Sequence, residues 1–187
     1  MAKKNDDKYV LELNTSNNPN TGIPESDEDI KSKMLRGFNN KEICFTYPFA
    51  WQDITEQQEE DEFTNAVLFN KTNNSIVKIS TQPCLVNNIE EFKKLIEDDL
   101  KSKECAVQQS AIEKLGEYEI WDVFYTTKEG LEIEQFSILK ENNLYAIELY
   151  TKNNRDPVVI KPFVDLIQSF KVLKPSYKVD GNSYEKL

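Results

Sequence analysis

With 187 residues and 39% hydrophobic side chains, the chain has material for one domain and one core once a polar stretch is set aside. Its 33 acidic and 23 basic residues give a net charge of -10, which repels nucleic-acid phosphates and anionic membrane surfaces, so no nucleic-acid partner is expected. Histidine is absent, which removes Ser-His-Asp and Cys-His nucleophile pairs and histidine-held metals, and no apolar run reaches the roughly 20 residues of a bilayer span.

From Met1 to about Asn40 the chain is rich in Asn, Ser, Asp, Glu and Lys, and its first residues lack the apolar stretch of a signal peptide. Such a composition does not offset the entropy of ordering it, which predicts a flexible polar tether over 1–40. A short helix near Ser26 to Leu35 competes with that reading, since Ser26 followed by Glu28 and Asp29 places acids in a first turn.

A globular domain is predicted over 41–174. Ile43, Phe45 and Tyr47 alternate with Cys44 and Thr46 as in a strand with one buried face, and Pro48 ends it by removing a ladder donor. Runs at 64–70 and 76–81, joined by Asn70-Lys71-Thr72-Asn73-Asn74-Ser75, predict a hairpin. Asn88 is a candidate N-cap with Glu91 at the capping-box position, and Ile89, Phe92, Leu95, Ile96 and Leu100 recur at helical spacing. Strands at 117–126, 131–139 and 144–151, linked by short joints carrying Gly130 and Asn142, predict an antiparallel meander.

The last helix has two candidate starts. Pro162 in the first turn is preferred, because an interior proline costs about 3 kcal/mol; the alternative caps the helix with Asp156, puts Pro157 first and leaves a kink at Pro162. Phe163, Val164, Ile167 and Phe170 form its apolar stripe, Lys171-Val172-Leu173 suits a final edge strand, and 175–187 reads as a frayed tail. The fold class expected is α+β, with five to seven antiparallel strands flanked by two helices.

Four features in this order carry a resemblance: Tyr47-Pro48-Phe49-Ala50-Trp51 after the first strand, Gly116-Glu117-Tyr118 leading into the meander, Gly130 in its first hairpin, and Phe163 to Phe170. Over about Glu42 to Leu173 the chain resembles the PsbP-like fold, shared by the photosystem II protein PsbP, Mog-type Ran-binding factors and DcrB-type bacterial lipoproteins. The resemblance implies an α/β/α sandwich around an antiparallel sheet. The histidine metal sites of the photosystem protein have no counterpart here. The polar N-terminal stretch suits a lipoprotein whose signal and lipid-bearing cysteine have been removed, with Met1 and Ala2 not native.

Residues with chemical potential are few. Cys44, Cys84 and Cys105 are odd in number, widely spaced and without a CxxC motif, and Cys105 beside Glu104 lacks an activating base. Glu132 and Glu134, two apart on a strand, share a face and would suit a hard cation or an acid–base pair, although solvated strand faces carry such pairs routinely. Asp98-Asp99 and the acids of 56–62 lack the glycine turn of a calcium loop. Trp51, Tyr47 and Trp121, with Tyr118, Tyr125, Tyr145 and Tyr150, are candidates to line a groove for a peptide, glycan or lipid headgroup; the same spacing serves core and cross-strand pairs. Trp51, just past a strand exit, is the leading binding candidate.

No catalytic residue, cofactor or metal site is predicted. The function expected is a monomeric, non-catalytic binding domain of the bacterial cell envelope, lipid-anchored on the extracellular face of a membrane. An intracellular Mog-type regulator of a Ran GTPase, hence cytoplasmic, is the alternative. A carboxylate-based hydrolase is a third reading, requiring two acids roughly 5 to 9.5 Å apart in a cleft.

Overall fold

The structure, a computed structural model, describes residues 10–11, 34–59, 61–86, 88–152, 156–180 and 183–187. The first strands are β1 (Val10–Leu11), β2 (Leu35–Asn39) and β3 (Ile43–Pro48), followed by β4 (Gln52–Asp53), a 3-10 turn, β5 (Thr64–Asn70) and β6 (Ser75–Pro83). Helix α1 (Ile89–Ser102) leads to β7 (Ala106–Leu115), β8 (Tyr118–Thr126), β9 (Glu132–Lys140) and β10 (Asn143–Thr151). Helix α2 (Pro157–Ser169), β11 (Lys171–Val172), β12 (Tyr177–Asp180) and β13 (Ser183–Lys186) complete the described chain. A large antiparallel sheet runs β4-β5-β6-β10-β9-β8-β7, a smaller one runs β1-β2-β3-β11, and β12 pairs with β13.

Alternation along the large sheet divides its side chains between two apolar clusters. Ile120, Phe136, Ile138, Tyr145 and Ile147 join β3 residues Ile43, Phe45 and Tyr47 and α2 residues Val159, Phe163, Leu166 and Ile167. On the intervening positions Trp121, Val123, Tyr125, Ile133 and Leu144 meet Ile89, Phe92 and Leu100 of α1. One domain thus has two packed faces, α2 with the small sheet on one and α1 on the other. The turns follow from their residues: Glu141 and Asn142 between β9 and β10 have φ of 52° and 59°, and Gly130 between β8 and β9 has φ of 81°.

Helix α1 starts where expected, with Asn88 Oδ1 accepting the Glu91 N–H at 2.7 Å. Three expectations are corrected. Leu35–Asn39, inside the stretch expected as a tether and at one end of the candidate helix, is a strand paired with β3, and Phe38 stacks on Phe45 with centroids 4.7 Å apart. The remainder of that helix lies outside the described residues. The folded part therefore begins by Leu35, because the ladder to β3 and the aromatic pair stabilise a stretch whose own composition is polar.

The second correction is the start of α2. Asp156 Oδ1 accepts the Val158 N–H at 2.9 Å, Pro157 stands in the first turn and Pro162 lies inside the helix. The bond lost at Pro162 is the one to the Val158 carbonyl, and Val158 is 67% exposed, so water is at hand for that group. Burial of Val159 one turn earlier favours the longer helix. The third is the tail: Tyr177–Asp180 and Ser183–Lys186 form a hairpin, Tyr177 is buried, and the Tyr177 ring meets Phe63 and Tyr184 with centroids 6.1 and 5.7 Å away.

Candidate functional site

The connection from β6 to β7 places the site. These strands are distant in the sheet order, so α1 must cross over, and it packs on β7 and β8. Among the described residues, no helix packs on the same face over β5, β6 and the near half of β10. There the register aligns two rows. Tyr125, Ile133, Tyr150, Ile76 and Phe69 form one; Val123, Gln135, Glu148, Lys78 and Val67 form the next.

A cleft of about 1450 Å³ opens over this part of the sheet. Val67, Ile76, Lys78 and Tyr150 form its floor, with Leu131 at one end. Glu56, Glu59, Asp61 and Glu62, on the segment between β4 and β5, stand on one wall; Lys152 and Lys186 also line it. Its walls are polar and its floor is largely apolar, the composition of a ligand-binding concavity.

The electrostatics are set by which charges meet. Lys78 Nζ lies 3.1 Å from Asp61 Oδ2, and bonds from the Phe63 N–H, the Thr64 hydroxyl and Lys78 hold the Asp61 carboxyl below its ordinary value. Lys78 also stands directly opposite Glu148 across the β6–β10 ladder. Glu148 accepts the Tyr150 hydroxyl at 2.9 Å. Burial pushes the Glu148 carboxyl above its ordinary value, with the Tyr150 bond and the Lys78 charge opposing that rise. Burial and the neighbouring Glu148 together push the Tyr150 phenol well above the ordinary range.

The residues singled out as binding candidates are placed elsewhere. Trp51 and Tyr47 are each 2% exposed within the α2 cluster, and Trp121 is fully buried in the α1 cluster. Their role as exposed anchors is corrected: each supplies apolar surface that the two cores consume. The Trp121 indole N–H donates to Ser110 Oγ at 3.0 Å, and Ser110 donates to Glu97 Oε1 at 2.5 Å, tying β8, β7 and α1 together. Tyr125 and Tyr145 are buried, Tyr118 accepts the Val172 N–H at 3.1 Å, and only Tyr150 of the aromatic set lines the cleft.

The acidic candidates separate as well. Glu132 and Glu134 do share a face, the one that carries Phe136 and α2, away from the cleft; Glu134 is buried there. Asp99 pairs with Lys103 at 2.6 Å on α1. Among the described residues no group of three or more acids and cysteines is arranged to hold a metal ion. All three cysteines are free thiols, and burial pushes the Cys84 thiol up. Glu148 was not a sequence candidate; its signal was a lone carboxylate in the otherwise apolar run Leu144-Tyr145-Ala146-Ile147-Glu148-Leu149.

The architecture defines the class: this is a PsbP-like fold. The solution structure of cyanobacterial PsbP (CyanoP) from Synechocystis sp. PCC 6803 superposes with a TM-score of 0.54 at 12% identity, covering 74% of this chain and 92% of that one. A crystal structure of a Bacteroides thetaiotaomicron VPI-5482 protein aligns with a TM-score of 0.45 at 13% identity over 70% of this chain and 44% of that chain. No protein-family model matches the sequence, and no curated protein matches it. At these identities the likeness is one of fold.

Proposed function

We propose that the chain is a non-catalytic binding domain, an α/β/α sandwich of PsbP-like type that captures its ligand on the half of the sheet left bare by α1. The observation that carries this reading is the cleft of about 1450 Å³, floored by Val67, Ile76 and Tyr150. An apolar floor with polar walls supports binding by burial with orientation fixed at the rim. A histidine mechanism is unavailable because the chain has no histidine, and a carboxylate mechanism is disfavoured at Asp61 and Glu148, which Lys78 and the Tyr150 hydroxyl respectively engage.

The same proposal has the domain as a monomer on the outer face of a bacterial membrane, held by a lipid on a cysteine that precedes the polar N-terminal stretch in the native protein. Composition supports this: the residues before Met34 are rich in Asn, Asp, Ser and Lys, as a solvated tether requires. Incorporation of a labelled fatty acid by the native gene product tests the anchor, and absence of label contradicts it.

The binding reading is tested by NMR titration with envelope-derived peptides and oligosaccharides. It predicts shifts concentrated at Val67, Ile76, Leu131 and Tyr150. Saturable shifts confined to residues of α2 or the small sheet would move the site elsewhere.

A further inference from the structure

The C-terminal hairpin has one firmly rooted strand and one loosely held one. Strand β12 is rooted by Tyr177, which is buried and bonded through its backbone to the side chain of Asn143. Strand β13 is exposed at all four positions. Among the described contacts it is held by its ladder to β12, by the Leu187 N–H just past its end, which donates to the Ser176 carbonyl at 2.9 Å, and by the ring of Tyr184. That ring meets Tyr177 edge-on with centroids 5.7 Å apart and Phe63 with centroids 6.5 Å apart. Phe63 is a firm dock, since its carbonyl accepts the Thr81 N–H at 2.8 Å and ties it to β6.

Alternation puts Tyr184 and Lys186 on one side of β13. Lys186 stands opposite Tyr177 in the ladder, with Nζ 5.9 Å from the Tyr177 ring, and it lines the same cleft as Glu56, Glu59 and Glu62. The Tyr177 hydroxyl donates to the Glu62 carbonyl at 3.4 Å, so the hairpin touches the cleft wall directly. A two-stranded hairpin is marginal in water by itself, which leaves β13 dependent on the Tyr184 contacts and free to part from β12 without disturbing either core. We infer that β13 is a strap at the mouth of the cleft: docked through Tyr184 it holds Lys186 at the cleft, and released it withdraws Lys186 and widens the opening. Control of access by β13 rests on the reading of the cleft as the binding surface; the docking itself does not.

The strap is tested without a ligand, by NMR amide exchange and chemical shifts on the full chain and on Tyr184→Ala, Tyr184→Phe and Phe63→Leu. Tyr184 is half exposed, so its replacement spares the cores. In Tyr184→Ala, exchange at the ladder amides of β13 is expected to rise about tenfold, the scale of one lost aromatic pair. Shifts are expected to move with it at Asp61, Glu62 and Thr64 of the cleft lining. Tyr184→Phe keeps the ring and is expected to leave both readings unchanged, while Phe63→Leu removes the dock and is expected to speed β13 exchange as Tyr184→Ala does. Unchanged β13 exchange in either Tyr184→Ala or Phe63→Leu would overturn the inference. Faster β13 exchange with no shift in the cleft lining would overturn it too, as would a loss of protection that spreads to β8 and β9. Each of those results removes the strap and leaves the cleft to the separate ligand titration. Failure of that titration would remove the cleft as a site and leave the docking of β13 standing.

Discussion

The side-chain amide of Asn143 closes two hydrogen bonds on the backbone of Tyr177, donating to its carbonyl at 2.9 Å and accepting its N–H at 2.8 Å. Asn143 is fully buried at the start of β10, so this one residue extends the ladder sideways to the C-terminal hairpin. The hairpin in turn contributes Lys186 to the cleft. Asn143→Ala leaves both backbone groups of Tyr177 without that partner, at about 1–3 kcal/mol for each buried group left unpaired. The expected outcome is a clear drop in Tm, with faster hydrogen exchange at the Tyr177 amide. Unchanged exchange would show that Tyr177 is held by its ring contacts alone.

Trp51 behaves as a core residue in this account. Trp51→Ala is expected to cost about 3–5 kcal/mol, the scale for truncating a buried aromatic, read by chemical denaturation. A near-neutral effect would return Trp51 to the surface and revive its candidacy as an anchor.

The N-terminal boundary is tested by two deletions. Removing residues 1–33 takes away β1 but leaves β2, and is expected to shift Tm by only a few degrees. Removing 1–40 strips β2 from β3 and uncovers the face of Phe45 stacked by Phe38, so a much larger loss is expected. Equal effects of the two deletions would contradict the pairing of β2 with β3.

Glu148 gives a pH signature. Its folded-state pKa is raised above the ordinary 4.5, so the folded state holds the proton more tightly than the unfolded chain does. No penalty exists below the unfolded value; destabilisation grows as pH rises past about 4.5 and is complete above the raised folded value. The groups around it are Tyr150 on its own strand, Lys78 on β6 and Tyr125 on β8. Glu148→Gln is therefore expected to gain stability relative to the unaltered chain as pH rises through that window. A stability difference flat with pH would show that Glu148 titrates as an ordinary carboxyl.

Much of the fold was legible because local signals agreed with tertiary need. Alternation in β3, β5 and β6, the Asn88 cap of α1 and the short joints of the meander all marked elements that the structure contains. Strand β7 was illegible: Ala106-Val107-Gln108-Gln109 lies at an edge with these four side chains exposed, and a bulge at Val107/Gln109 breaks the period. The C-terminal hairpin escaped notice because its ordering depends on Asn143 and Phe63, far away in sequence. The cleft was hidden for a similar reason, since it arises from where α1 fails to cover the sheet, a property of topology rather than of any motif.

The most direct measurement of the central claim is photo-crosslinking in cells that make the native protein. A photoreactive amino acid replaces Asn74, which lines the cleft, or Val158, exposed on α2 over the opposite face. The account predicts specific adducts from position 74 and none from position 158. Specific adducts from position 158 alone would contradict the assignment of the cleft as the binding surface.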